Sequence, residues 1–288
     1  QEELTVRVEH PELPAIRWNE AEVQQAFSKH ELIVRNLLSV DTRWASRAAA
    51  ILSRQGRIRT DRKYRAFSAA TRKGTGAQHS ELTFLRKQFR EFTAAHGEAA
   101  PLFSDFSPEL VIVVPADSSL SDPGTLMRIA CSGLNADLRI GIGPEVDVLH
   151  LYDSYAQASS VLQVLRAIPN LGPCSTWEGL GVYGNLTLLT RNHEDAQLPL
   201  TPNIAALREE DPALFDTLEL FLDNAGSIAK TSEELCIHRS TLYYRLKRIA
   251  DITGTDLNSG LDRFTLHLEL KLFRLTSVLL GDDEPATA

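Results

Sequence analysis

Between Leu242 and Ala250 the apolar positions recur every three to four residues, and the positions between them are polar or basic. At about 100° per residue, Leu242, Leu246 and Ile249 share one narrow face bordered by Ala250. Ser240, Thr241, Tyr244, Lys247 and Arg248 gather on the opposite side, and Tyr243 and Arg245 flank them. This is an amphipathic helix with a core face and a solvent face. Upstream, Ile228 and Leu235 mark the apolar side of a shorter helix, with Thr231 and Glu234 at capping-box spacing. Cys236, Ile237 and His238 form the turn between the two, with Ile237 as the expected core plug. The pattern predicts a helix-turn-helix, and everything from about Ile204 onward reads as helical.

The pattern before Ile204 is different. Asn19 and Glu22 stand at capping-box spacing and open a helix to about Leu38, and Asp41 caps a second from Thr42 to Gln55. Tyr64–Ala70 reads as a strand, Gly74 and Gly76 as a loop, and Glu81–Ala95 as a helix. Leu110–Val114 is a short run rich in β-branched residues, the mark of a buried strand. A helix near Leu126–Leu134, a strand at Leu138–Ile142 and an amphipathic helix from Tyr152 to Ile168 follow. A short strand near Thr176–Gly179 and a helix near Val182–Leu189 close the unit. Alternation of strands and helices predicts an α/β sandwich with a mixed sheet. Residues 191–203 are polar and hold Pro199 and Pro202, which places a linker there.

Composition narrows the function. The chain has 288 residues, enough for two domains with separate cores. Its formal charge is -8, yet four of the eleven residues from His238 to Arg248 are Lys or Arg and none is acidic. A concentrated basic helix on an acidic chain points to a polyanion, because phosphate contacts need local positive charge. Arg54–Lys73 carries eight basic residues and one acid, but no turn or aromatic pattern organises it, and a solvated surface is expected. The longest strongly apolar stretch, Leu110–Val114, is far too short to span a bilayer. Cys131, Cys174 and Cys236 are scattered and odd in number, which argues against a disulfide framework or zinc site and fits a reducing cytoplasm. Each is expected to be a buried thiol. His79, His96, His150 and His193 are isolated and read as surface or hydrogen-bonded histidines.

Leu235–Leu246, L-C-I-H-R-S-T-L-Y-Y-R-L, resembles the C-terminal signature of the PucR/CdaR family of bacterial transcription regulators, itself similar to the helix-turn-helix of the nucleoid protein Fis. The likeness runs through Ile249, Thr253-Gly254, Asp256-Leu257, Arg263-Phe264 and Leu266–Leu275, and back to Leu218–Asn224. Ser232, Ser240 and Glu269 depart from it, where the family usually has Ala, Asn and Ala. The middle unit resembles the family's GGDEF-like domain, similar in turn to diguanylate cyclases, through Glu109–Val114, Arg139–Gly143, Ser154–Ala158 and Leu180–Tyr183. In cyclases the hairpin before the buried strand carries two glycines, which let nucleotide approach, and two acids, which hold divalent metal. Phe106-Ser107-Pro108-Glu109-Leu110 takes that place here, and of those four groups only Glu109 remains. The resemblance therefore implies a retained fold with its chemistry lost. Gly141 and Gly143 are followed by Pro144 and make no phosphate cradle.

The expected organisation has residues 1–19 as the tail of a preceding region, where LTVRV alternates like a strand. Residues 20–195 form a degenerate GGDEF-like α/β domain, 196–204 a linker and 205–280 an all-α helix-turn-helix domain. The expected function is a dimeric, cytoplasmic, DNA-binding transcription regulator. It would control catabolic or metabolic genes and answer to a small-molecule effector. Arg239, Ser240, Thr241, Tyr243, Tyr244, Arg245, Lys247 and Arg248 are the candidate contacts to double-stranded DNA. Lys247 and Arg248 are expected on phosphates with similar weight, and Ser240 and Tyr244 at base edges. No catalytic residue, metal, cofactor or membrane contact is expected. The alternatives are a divergent nucleotide-binding or cyclase-like enzyme, and a protein-interaction scaffold. Leu261, Phe264, Leu268, Leu272, Leu275 and Leu279 form one apolar stripe, and Leu266, Leu270 and Phe273 add a second apolar side. That suggests a dimer surface, with the alternative that both sides bury within the chain's own three or four helices.

Overall fold

The β-branched run at Val111–Val114 lies inside β3 (Glu109–Pro115), buried on both faces along its length. The computed structural model describes residues 29–71, 78–106, 108–131, 138–191 and 202–279. The LTVRV stretch, the Asn19 capping box, Gly74, Gly76 and most of the expected linker lie outside these residues.

β2 (Leu102–Phe106) and β1 (Lys63–Thr71) flank β3, both antiparallel to it. β1 pairs antiparallel with β4 (Leu138–Ile142), and β4 runs parallel to β6 (Cys174–Thr176). The sheet order is β2-β3-β1-β4-β6, with β5 (Val146–Asp147) paired to β1 off this path. Side chains alternate between two cores, as period-two geometry requires. Ala66, Val111, Val113 and Leu102 face α1 (Lys29–Leu37), α2 (Thr42–Arg54) and α5 (Leu151–Ala167). Phe67, Ile112, Val114 and Phe103 face α3 (Gln78–Ala95) and α4 (Pro123–Cys131). The expected mixed sheet is present.

Local signals explain the element starts. The Asp41 carboxylate accepts the Arg43 N–H at 2.9 Å and caps α2 as expected. α4 begins three residues earlier than the apolar pattern suggests, because Asp122 accepts the Thr125 N–H at 2.8 Å and Pro123 opens the first turn. The last strand is Cys174–Thr176 and not Thr176–Gly179, since Glu178–Leu180 winds into a 3-10 turn that closes on Gly181 at φ 57°.

The C-terminal unit is all helix: α7 (Pro202–Glu210), α8 (Pro212–Asp223), α9 (Ile228–Glu234), α10 (Arg239–Thr253) and α11 (Gly260–Leu279). Its core joins Ile204, Leu214, Phe215, Leu218, Leu242, Ile249, Leu266 and Leu270. Each such side chain contributes about 1.5–3 kcal/mol by leaving water. α11 carries two apolar sides, as its sequence implies. Leu266, Leu270 and Phe273 turn into this core. Leu268, Leu272 and Leu275 pack on Val161, Val164 and Leu165 of α5 and on Leu186 of α6 (Val182–Arg191). The α/β domain and the helical domain therefore share a hydrophobic cluster.

Candidate nucleic-acid interface

α9 and α10 meet through a short turn at Leu235–His238. α9 is capped by Ser227, whose hydroxyl accepts the Lys230 N–H at 3.4 Å. Thr231 is buried within that helix, so the capping box expected from Thr231 and Glu234 does not form. The cap sits one turn earlier, and Glu234 accepts from the Asn224 amide at 3.2 Å. Cys236 takes a left-handed backbone, φ 52°, and is exposed, contrary to the buried thiol expected there. Ile237 packs against the domain core as the plug. Nδ1 of His238 accepts the Ser240 N–H at 3.3 Å and lies 2.8 Å from the Ser240 hydroxyl, which caps α10. Gly254 ends the helix at φ 65°.

The structure brings most of the sequence-derived candidates onto one surface. Leu242, Leu246 and Ile249 are buried. Arg239, Ser240, Thr241, Lys247 and Arg248 are exposed, and Tyr243 and Tyr244 are 60% and 65% exposed. Arg245 differs: it is half-buried and donates to the Thr217 hydroxyl of α8 at 3.0 Å. Arg248 is also engaged. Its guanidinium donates to Glu210 of α7 at 2.7 Å and bonds with Tyr244, and these contacts hold it above the usual arginine range. Arg239 and Lys247 have no acidic partner among the described residues.

Beneath this surface, α8 and α11 are tied by charge. Lys271, buried, donates to Glu219 and Asp223, both at 2.9 Å. Burial alone would push Lys271 down, but the two carboxylates outweigh it and hold it above the usual lysine range. Arg274 reaches Asp216 and Glu219 at 2.8 Å, and His267 lies 2.7 Å from Asp223. Nothing in the sequence pattern pointed to Glu210, Thr217 or this network, because the partners come from separate helices. Ser232 satisfies its buried hydroxyl by donating to the Ala229 carbonyl at 3.0 Å. Three members of the basic run that begins at Arg54 are paired: Arg59 with Asp61, Arg62 with Asp117 and Arg65 with Glu145, at 2.6, 3.4 and 3.0 Å.

The β2–β3 hairpin has Phe106 opposite Glu109, with the turn between them. The Phe106 ring lies tilted against Tyr155, centroids 5.0 Å apart, and under Arg35 at 4.7 Å. An aromatic side chain thus fills the position where a cyclase needs bare backbone. Glu109 points inward, accepting from the Ser159 hydroxyl at 3.0 Å and from Ser68. Burial pushes its carboxyl up, against the pull of those two hydroxyls. Among the described residues no three His, Cys, Asp or Glu side chains gather as a metal-binding group. Gly141 and Gly143 are glycine for packing: a Cβ would lie 1.9 Å from the Ala158 carbonyl and 2.1 Å from the Ser154 carbonyl of α5.

Residues 214–272 match the PucR C-terminal helix-turn-helix domain, and residues 41–164 match the GGDEF-like domain. The chain belongs to the PucR/CdaR family. Among curated PucR/CdaR relatives, the proline-responsive transcriptional activator PutR of Bacillus subtilis is 31% identical over 141 residues, covering 47% of this chain and 34% of that protein. The transcriptional activator PmfR of Paenarthrobacter nicotinovorans is 33% identical over 172 residues, 59% of this chain and 34% of that protein. The carbohydrate diacid regulator of Escherichia coli is 52% identical over 52 residues, 18% of this chain and 13% of that protein. The aligned part thus spans 34% of the length of both PutR and PmfR. No described helix is long and apolar enough to cross a membrane.

Proposed function

We propose that this chain is a cytoplasmic, sequence-specific DNA-binding transcription regulator that acts as a homodimer through α10. One observation carries the reading. A helix with a buried Leu242-Leu246-Ile249 face presents Arg239, Thr241, Tyr243, Tyr244 and Lys247 outward, and none of these outward residues is acidic. Hydroxyl, phenol and cationic side chains in that arrangement suit phosphates and base edges of a major groove. Kinship with the proline-responsive activator PutR and the carbohydrate diacid regulator supports control of metabolic genes. Genome-wide capture of bound DNA tests this directly. The expected outcome is a small set of sites sharing an inverted repeat, with half-sites about one helical turn, roughly 34 Å, apart. Recovery of fragments without a shared motif would contradict it.

Dimerisation has a smaller surface than the full α11 stripe. Leu268, Leu272 and Leu275 are already covered by the chain's own α5 and α6. Leu261 and Phe264 remain 73% and 65% exposed at the start of α11, and pairing is assigned to that end. Light scattering at micromolar concentration should give twice the chain mass, and Leu261→Lys with Phe264→Lys should return it to one. A wild-type chain that is already monomeric would exclude this pairing.

The GGDEF-like domain is assigned no catalysis, because Phe106 stands where the cyclase hairpin has glycine and packs against Tyr155, and Glu109 is turned into the fold. Incubation with GTP and Mg²⁺ or Mn²⁺ should yield no cyclic dinucleotide. Product that disappears in Glu109→Ala would reverse the assignment.

A further inference from the structure

At the edge of the sheet, β2 meets α1, α3 and the α2–β1 connection around a cleft of about 330 Å³. It is lined by Glu31, Arg57, Arg86, Arg90, Pro101 and Phe103. Its volume falls at the lower end of the range for small-molecule sites, roughly 300–1,000 Å³. Three guanidinium groups in one concavity repel one another unless anions face them. Only one of the three is matched within the protein. Arg86 contacts Asp105 and lies 3.6 Å from Glu31. No carboxylate among the described residues pairs with Arg57 or Arg90.

The cleft is also partly preorganised. The Phe103 ring, almost wholly buried, holds Arg90 at 5.2 Å and Arg86 at 5.5 Å from its centroid. Cation–π contact fixes where the Arg90 fork sits, so less freedom is lost when an anion arrives. Arg57 comes from a separate element, the connection after α2, and supplies a second fork. Pro101 is buried and gives the cleft an apolar patch for a carbon skeleton. We propose that this cleft binds a small organic dianion, a dicarboxylate or a phosphate monoester, held by Arg57 and Arg90. Planar guanidinium forks match either acid through paired N–H donors, which a point-like ammonium does not.

The site is independent of the DNA-binding surface, so its test uses the full chain without DNA. Isothermal titration with succinate and with glycerol 3-phosphate is compared with succinamide, the uncharged counterpart, at constant ionic strength. At least one dianion is expected to bind one-to-one with a Kd below about 1 mM, and succinamide is not. Which dianion binds distinguishes the carboxylate source from the phosphate source. Arg57→Gln and Arg90→Gln should each weaken binding at least about tenfold while the ligand-free chain stays folded, Arg90→Gln melting slightly lower because its contact with Phe103 is lost. Arg57→Lys should fall between, since it keeps the charge and loses the fork. Phenylglyoxal modification of Arg57 and Arg90 should slow when the bound dianion is present. The proposal is overturned if neither dianion binds more tightly than succinamide. It is equally overturned if the Arg57→Gln, Arg90→Gln double variant binds as the wild type does.

Discussion

Arg239→Ala combined with Lys247→Ala is expected to lower DNA affinity by about two orders of magnitude per half-site at 0.1 M salt, and to reduce the slope of log K against log salt by about 1.8 for each half-site occupied. Each phosphate contact releases condensed counterions worth about 0.9 of slope, which at 0.1 M salt is roughly an eightfold change in affinity. Arg239 and Lys247 are the residues to remove because no acid among the described residues engages them. Arg248 behaves differently, although its place on the helix suggests the same role as Lys247. Its Glu210 pair must loosen before it meets a phosphate, so Arg248→Ala should cost less. Exposed pairs are worth about 0–1 kcal/mol, so Glu210→Gln should strengthen binding only a few-fold. Arg245→Ala should change folding more than DNA binding, since Arg245 ties α10 to Thr217. Fluorescence anisotropy across a salt series reads all of these. An unchanged slope in the double variant would remove α10 as the phosphate-contacting helix.

The difference between Lys247 and Arg248 marks where sequence reading stops. Helical periodicity gave the buried and exposed faces of α10 correctly, because those depend on residues three and four apart. Glu210 and Thr217 lie 38 and 28 positions from the arginines they hold, and no local pattern encodes such pairs. The misplaced cap on α9 has a related cause. Thr231-x-x-Glu234 fits the spacing of a capping box, but Ser227 fits the end of the apolar pattern one turn earlier and is the residue with extended backbone. β2 escaped notice because Leu-Phe-Ser-Asp-Phe shows no clean alternation, and its pairing with β3 makes it a strand. α11 is the most instructive case. Its two apolar sides were legible, but the pattern alone pointed to a second copy of the chain as the outer partner. For Leu268, Leu272 and Leu275 that partner is the chain's own α/β domain.

Gly141→Ala is expected to destabilise the α/β domain by about 3 kcal/mol or more, which for a domain of this size lowers the melting temperature by roughly 6–12 °C. The new Cβ would lie 1.9 Å from the Ala158 carbonyl oxygen and 2.7 Å from the Leu162 nitrogen. Both are backbone atoms of α5, so no side chain can rotate away, and the helix must lift from β4. Lifting it disturbs three things at once: the Ser159 hydroxyl bonded to Glu109, the Tyr155 contact with Phe106, and the Val161-Val164-Leu165 surface against α11. Gly172→Ala provides the control. Gly172 has φ 86° and open space around it, so alanine there meets backbone strain alone, about 1–2 kcal/mol. Thermal melting of the two variants separates close packing from conformational freedom. If Gly141→Ala melted with the wild type, the helix would not rest on the strand as the structure has it. If it kept its stability but lost binding of an anionic ligand, Gly141 would serve a phosphate after all.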